Sequence, residues 1–133
     1  SLDLRDGNLH QSLLRFAEVF REKLLCDRGI AIHRVLIAEA PRMPQLVQAV
    51  YAAGTEETRR ILQQVIRDAM SAGQLREDDP AFATDMLLSM LAGMERTRHL
   101  LAALDHEDEI PDRAARIVDC FLRAFAPTLD THD

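Results

Sequence analysis

Apolar residues in this chain recur at steps of three and four, and prolines and glycines cut that rhythm into pieces one helix long. From Asn8 to Cys26 the stripe is Leu9, Leu13, Phe16, Phe20 and Leu24, with Arg15, Glu18, Arg21 and Glu22 mostly off it. That spacing is one face of an amphipathic helix, which covers something on one side only. No segment alternates with period two and β-branched residues are scattered, so the pattern predicts no strand. Helices with one apolar face each must stack on one another. The expected class is therefore all-α, an antiparallel helical bundle.

The breaks place the helices. Asp27-Arg28-Gly29 punctuates the chain, and Ile30 to Ala40 is then apolar nearly all round, interrupted by His33 and Arg34, as in a helix from the middle of a bundle. Pro41 ends it and Pro44 suits the first position of a short helix carrying Leu46, Val47, Val50 and Tyr51. Gly54 is expected to stop that helix, with Thr55 capping the next, whose stripe is Ile61, Leu62, Val65, Ile66, Ala69 and Met70. Gly73 fits a left-handed C-terminal position. Asp79 caps and Pro80 starts a long helix through Phe82, Met86, Leu87, Met90, Leu91 and Met94 to about Ala103. The acidic "LDHEDE" reads as a solvated loop, and Pro111-Asp112 opens a last helix with Ala114, Ile117, Val118, Phe121, Leu122 and Phe125. Five main helices plus the short one are predicted, joined by brief connections.

A chain of 133 residues, 47% hydrophobic and 29% charged, is expected to form one domain over residues 1–133 around one core. Its opening, "SLDLRDGN", reads as entry to a domain already under way, so a fragment of a longer protein is expected. The formal charge of −6 argues against gripping a nucleic-acid backbone with these residues. Two cysteines, Cys26 and Cys120, are too few and too far apart for a disulfide framework, and their apolar neighbours suggest buried free thiols. No apolar run approaches the roughly 18 residues a membrane span needs. A cytoplasmic protein without membrane contact is expected.

Positive signs of catalysis are missing. His10, His33, His99, His106 and His132 belong to no metal-binding pair, Ser12, Ser71 and Ser89 lie in no nucleophile motif, and no phosphate loop is present. Glu95 and His99, four apart, read as a surface or interface hydrogen bond. The expectation is no enzyme, no metal and no cofactor. His33 and Arg34 stand out because they interrupt the most apolar helix: either His33 faces a polar cavity, or it makes one satisfied hydrogen bond while Arg34 reaches outward. The run Met86, Met90, Met94 is either core or the lining of a pocket for apolar ligands.

The order of segments resembles the C-terminal regulatory domain of the TetR family of transcriptional regulators. It is similar to the branch in which "AE" meets an "RFP" turn, followed by "G-x-L…DP" and a long "L…ML-x-G" helix. Here these read Ala38-Glu39, Arg42-Met43-Pro44 with Met43 for the usual Phe, Gly73-Gln74-Leu75, Asp79-Pro80, and Leu88 to Gly93. The closing Phe121-Leu122-Arg123-Ala124-Phe125 resembles that branch's "FL-x-x-F". The likeness runs from about Leu9 to Pro127.

What the resemblance implies is a homodimer that packs its last two long helices into a four-helix interface and takes a small apolar or amphipathic effector between helices. Ligand-lining residues are then expected at Phe16, Phe20, His33, Ile37, Tyr51, Met86 and Met90. The expected interface is Leu91, Ala92, Glu95, His99, Val118, Leu122 and Phe125, with Ala92 and Gly93 small enough for close approach. Operator DNA would be met only through an N-terminal helix-turn-helix outside these residues, as in a repressor. The alternative is a helical dimerisation or interaction module without a ligand.

Overall fold

The computed structural model describes residues 8–102 and 110–127. Six α-helices follow in order: α1 (Leu9–Leu25), α2 (Asp27–Glu39), α3 (Pro44–Tyr51), α4 (Glu57–Ser71), α5 (Pro80–Leu100) and α6 (Arg113–Ala124). The described residues hold no strand. Helix α1 packs on α5 and α6, α4 packs on α5, and α2 with α3 forms an outer layer beside α1 and α5. The "LDHEDE" stretch and the expected end of α5 at Ala103 lie outside the described residues.

Several helix ends follow from local chemistry. Asn8 accepts a hydrogen bond from the Gln11 amide at 3.0 Å to start α1. Asp79 does the same for Ala81 at 3.0 Å, and Pro80 occupies the first turn of α5, where no amide partner is needed. Helix α4 closes in a Schellman motif: Gly73 at φ +76° lets the Gln74 amide reach Ala69 O at 2.9 Å and its own amide reach Met70 O at 3.1 Å. The chain just beyond is tied to the end of α6, since the Arg76 amide donates to Phe125 O at 2.8 Å and its guanidinium lies 5.3 Å from the Phe125 ring centroid.

The core draws one stripe from each of four helices: Leu9, Leu13 and Ala17 of α1, Leu62, Val65, Ile66 and Ala69 of α4, Ala83, Leu87 and Leu91 of α5, and Val118 and Phe121 of α6, joined by Leu75 and Phe125. Removing these side chains from water supplies the main favourable term of the fold.

Five expectations are corrected. Helix α2 buries only Ile30, while Ile32, Val35 and Ile37 stay about half exposed, because α2 meets α1, α3 and α5 along one edge and opens to a cleft on the other. Gly54 and Thr55 neither stop nor cap: Ala52–Glu56 is a π-helical turn joining α3 to α4, and the wider turn absorbs the residues read as a break. Both cysteines are exposed. Cys26 sits at the α1–α2 corner, where its Sγ accepts from the Gly29 amide at 3.4 Å, and Cys120 falls off the Val118–Phe121 face. Glu95 turns to Arg21 and Arg113 rather than to His99. Leu91, Ala92, Val118 and Phe125, expected at a dimer interface, are buried in the chain's own fold, and Leu122 packs against that core.

Gly29 makes the tight α1–α2 corner possible, because a β-carbon there would collide with the carbonyl oxygen of Lys23 and lie 2.7 Å from that of Leu24. A β-carbon at Gly54 would meet nothing within 4 Å. Gly29→Ala is expected to cost about 1–3 kcal/mol and lower the midpoint of thermal unfolding. Gly54→Ala is expected to be neutral or stabilising by up to about 1 kcal/mol. Melting curves of the two variants check the pair.

Candidate functional site

Helix α5 is broken about two turns from its end. Gly93 adopts φ +40° and ψ −143°, a conformation open to glycine and strained for other residues. Beside the break, Arg21 of α1 donates through Nη1 to the Leu91 carbonyl at 3.0 Å. Arg21 Nη2 also lies 2.7 Å from Glu95 Oε2, and Arg113 Nε of α6 lies 2.9 Å from the same oxygen. Neither contact is aligned as a hydrogen bond, so this is a charge clamp rather than a bonded network. Glu95 is only 15% exposed, where two cations offset the cost of removing its charge from water. Beyond the break, Arg34 of α2 donates to His99 O at 2.9 Å and to Leu100 O at 3.1 Å. Arg34 thus caps α5 instead of reaching outward, satisfying carbonyls that a helix end leaves without partners.

Between these fixed points lies a cleft of 870 Å³. Phe20, Lys23 and Leu24 of α1 form one wall, and Ile32, His33, Leu36 and Ile37 of α2 the next. Val47 and Tyr51 of α3 close one end, while Leu88, Ser89, Ala92, Gly93 and Arg96 of α5 form the far wall. The volume is in the range of pockets that enclose a drug-sized molecule. Two other hollows are smaller, 240 Å³ along the charged flank of α4 and 490 Å³ around the Glu95 clamp. Two of the exposed apolar residues of α2, Ile32 and Ile37, line this cleft, whereas Val35 does not.

Lys23, His33, Tyr51, Thr55, Arg59, Asp85, Ser89 and Arg96 place polar groups on the wall. Asp85 is held by Arg59, with Nε to Oδ1 at 2.7 Å and Nη2 to Oδ2 at 3.2 Å. That hydrogen bond keeps the Asp85 carboxyl below its ordinary value. Burial, and then the Arg96 charge, push the His33 imidazole below its ordinary value, so it stands neutral at neutral pH. Burial likewise lowers the Arg96 guanidinium, which the nearby Tyr51 partly opposes.

Of the seven expected ligand residues, Phe20, His33, Ile37 and Tyr51 line this cleft. Phe16 does not; it stacks on Phe20 with centroids 5.6 Å apart and packs against the core. Met86 and Met90 also lie elsewhere, on an outward face of α5 shared with Phe82 and Met94. Sequence reasoning missed Arg96, Ser89 and the role of Gly93 as a break. A glycine inside an otherwise strong helical stripe was the available signal. Among the described residues no group of three His, Cys, Asp or Glu side chains is placed to hold a metal ion, and no helix is long and apolar enough to cross a membrane.

Comparison with known proteins gives a consistent result. The chain matches the family of AefR-like transcriptional repressor C-terminal domains over residues 11–127. It is similar to a solved protein described as the flavonoid-responsive regulator FrrA, with 26% identity and a TM-score of 0.78 over 96% of this chain and 65% of that one. It is also similar to a Mesorhizobium loti protein solved as a TetR-family transcriptional regulator, with 25% identity and a TM-score of 0.72 over 92% of this chain and 59% of that one. The chain therefore spans about three fifths of the length of these relatives. No curated protein matches it.

The His33 shift has a sign that can be measured. An imidazole whose pKa is lowered by folding binds protons more readily when unfolded. Stability is then lost as pH falls below the unfolded value of about 6.5 and is fully present above it. The Asp85 and Glu57 carboxyls, both lowered by arginine partners, lose their contributions only in the acid range below this window. Unfolding midpoints are expected to rise from pH 5.5 to pH 7.5, and the part of the rise due to His33 to vanish in His33→Gln.

Proposed function

The chain belongs to the TetR family of transcriptional regulators, as an AefR-like repressor C-terminal domain, and from that premise we propose that it senses a small amphipathic effector in the α1–α2–α3–α5 cleft and pairs with a second copy of itself. The observation that carries this reading is the 870 Å³ cleft, walled by apolar residues of three helices and by the broken part of α5. One relative is described as flavonoid-responsive, which makes flavonoids the first probes to try.

Helix α5 presents three faces. Ala83, Leu87 and Leu91 point into the core, Asp85, Leu88, Ser89 and Ala92 border the cleft, and Phe82, Met86, Met90 and Met94 remain exposed. Phe82, Met86 and Met90 repeat every four residues along one side of the helix, and Met94 follows beyond the Gly93 break. An unpartnered apolar row of this kind suits a second copy better than water, and methionine adapts readily to such contacts. The proposed interface therefore centres on these four residues, with His99 and Leu122 at its margins.

The mechanism follows from where the two sites sit. An effector between α2 and α5 presses on the same helix that carries the pairing face, so occupancy and the relative tilt of two copies are linked. In a cytoplasmic repressor whose DNA-reading segment lies outside these residues, that tilt sets the spacing of the DNA-reading helices. The effector must bind the arrangement with low DNA affinity more tightly, and a coupling of about 1–3 kcal/mol changes operator affinity roughly 5–150-fold.

Thermal unfolding with a flavonoid panel tests the sensing half. A ligand present at about 100 times its Kd is expected to add about 2.7 kcal/mol of stability, and Ile37→Trp, which fills the cleft, to remove that gain. Stability unchanged by every member of a broad amphipathic panel would favour the ligand-free module instead. For the pairing half, sedimentation of Met90→Arg is expected to show a monomer. The two-fold axis repeats each unpaired guanidinium, costing about 3–5 kcal/mol for each buried charge. A dimer undisturbed by this change would move the interface elsewhere.

A further inference from the structure

The charges on the cleft wall restrict the chemistry of what it holds. Three cations, Lys23, Arg59 and Arg96, face it, against one carboxylate, Asp85. Arg59 and Asp85 neutralise one another through their two short contacts, 2.7 and 3.2 Å. The remainder is cationic, although the whole chain carries a formal −6. Lys23 is exposed and fully hydrated at the rim, whereas Arg96 is partly buried on the inner wall just past the Gly93 break.

Arg96 has no ion pair or hydrogen bond among the described residues. The adjacent carboxylate, Glu95, points the other way into its clamp with Arg21 and Arg113. Across the cleft Arg96 interacts with Tyr51 of α3 and His33 of α2, and neither is a carboxylate. A guanidinium held partly out of water without a counter-charge is unfavourable, and a planar five-donor group is suited to an oxyanion.

We propose that the cleft takes an amphipathic organic acid, its apolar body against Phe20, Leu36, Ile37 and Leu88 and its single ionised group, a carboxylate, sulfonate or phenolate, held by Arg96. The proposal rests on the effector-cleft reading above and narrows it to anionic ligands. Tyr51 and neutral His33 supply further hydrogen bonds to the acid head without competing for it as charges. Lys23 at the rim steers the anion inward.

A matched pair of fluorescent probes tests this on the full chain. 8-Anilinonaphthalene-1-sulfonate and N-phenyl-1-naphthylamine share a ring system and differ in the sulfonate. The sulfonate is expected to bind about 10-fold or more tightly than the neutral amine, the size of one charge-assisted hydrogen bond. Arg96→Gln is expected to abolish that preference while leaving the neutral amine's affinity within about 2-fold, and Arg96→Lys to keep most of it. Equal binding of the two probes, or a preference that survives Arg96→Gln, overturns the anionic assignment and leaves the cleft reading standing. Failure of both probes to bind, with the chain folded, overturns the cleft reading as well. Should Arg96→Gln not fold, Arg96→Met decides: loss of the sulfonate preference supports the proposal, and its persistence overturns it.

Discussion

Arg21 holds both sides of a broken helix. Its guanidinium donates to the Leu91 carbonyl of α5 beside the Gly93 break and, with Arg113, encloses the nearly buried Glu95 on the next turn. Three helices, α1, α5 and α6, meet at that carboxylate. Without the clamp, the segment after Gly93 would have no fixed direction relative to the core, and the cleft wall that carries Arg96 would have no fixed place. Arg34 secures the same segment from its far end. A helix broken at a glycine keeps one direction only where its surroundings hold it, and here two arginines from two other helices do so.

From that arrangement the division of labour along α5 follows. Before the break the helix contributes to the core in the ordinary way, through Ala83, Leu87 and Leu91. A second face, running from Asp85 through Ala92 and across the break to Arg96, borders a cleft whose other walls come mainly from α1, α2 and α3. Its third side leaves Phe82, Met86 and Met90 exposed. A ligand and a second copy of the chain would thus act on one element from two directions, which is the physical requirement for coupling two sites.

Much of this was legible in the residues. Proline pairs, the Asp79-Pro80 start and the Gly73 stop act locally, through φ restriction and capping, and the structure places each of them as the sequence indicates. Periodicity was less informative about environment, because it shows which face is apolar and not what covers it. Helix α2 reads as central yet lies mostly exposed beside a cleft. Leu91, Val118 and Phe125 read as surplus apolar residues suited to a partner, yet four helices in one chain already enclose them. Gly54 read as a stop because glycine often is one, but a right-handed glycine fits a π turn equally well. Arg96 carried no sequence signal: its importance comes from the absence of a carboxylate opposite it among the described residues, and absence across a fold is a tertiary property.

The central claim is that the guest of this domain sits between α2 and α5. Methyl chemical-shift mapping tests it most directly, using the naphthalene sulfonate as the titrant. Perturbations are expected at Ile32, Leu36, Ile37, Val47 and Leu88, which line the cleft, with the Met86, Met90 and Met94 methyls unmoved in the early part of the titration. First perturbations at those methionines, with the cleft methyls silent, would contradict it.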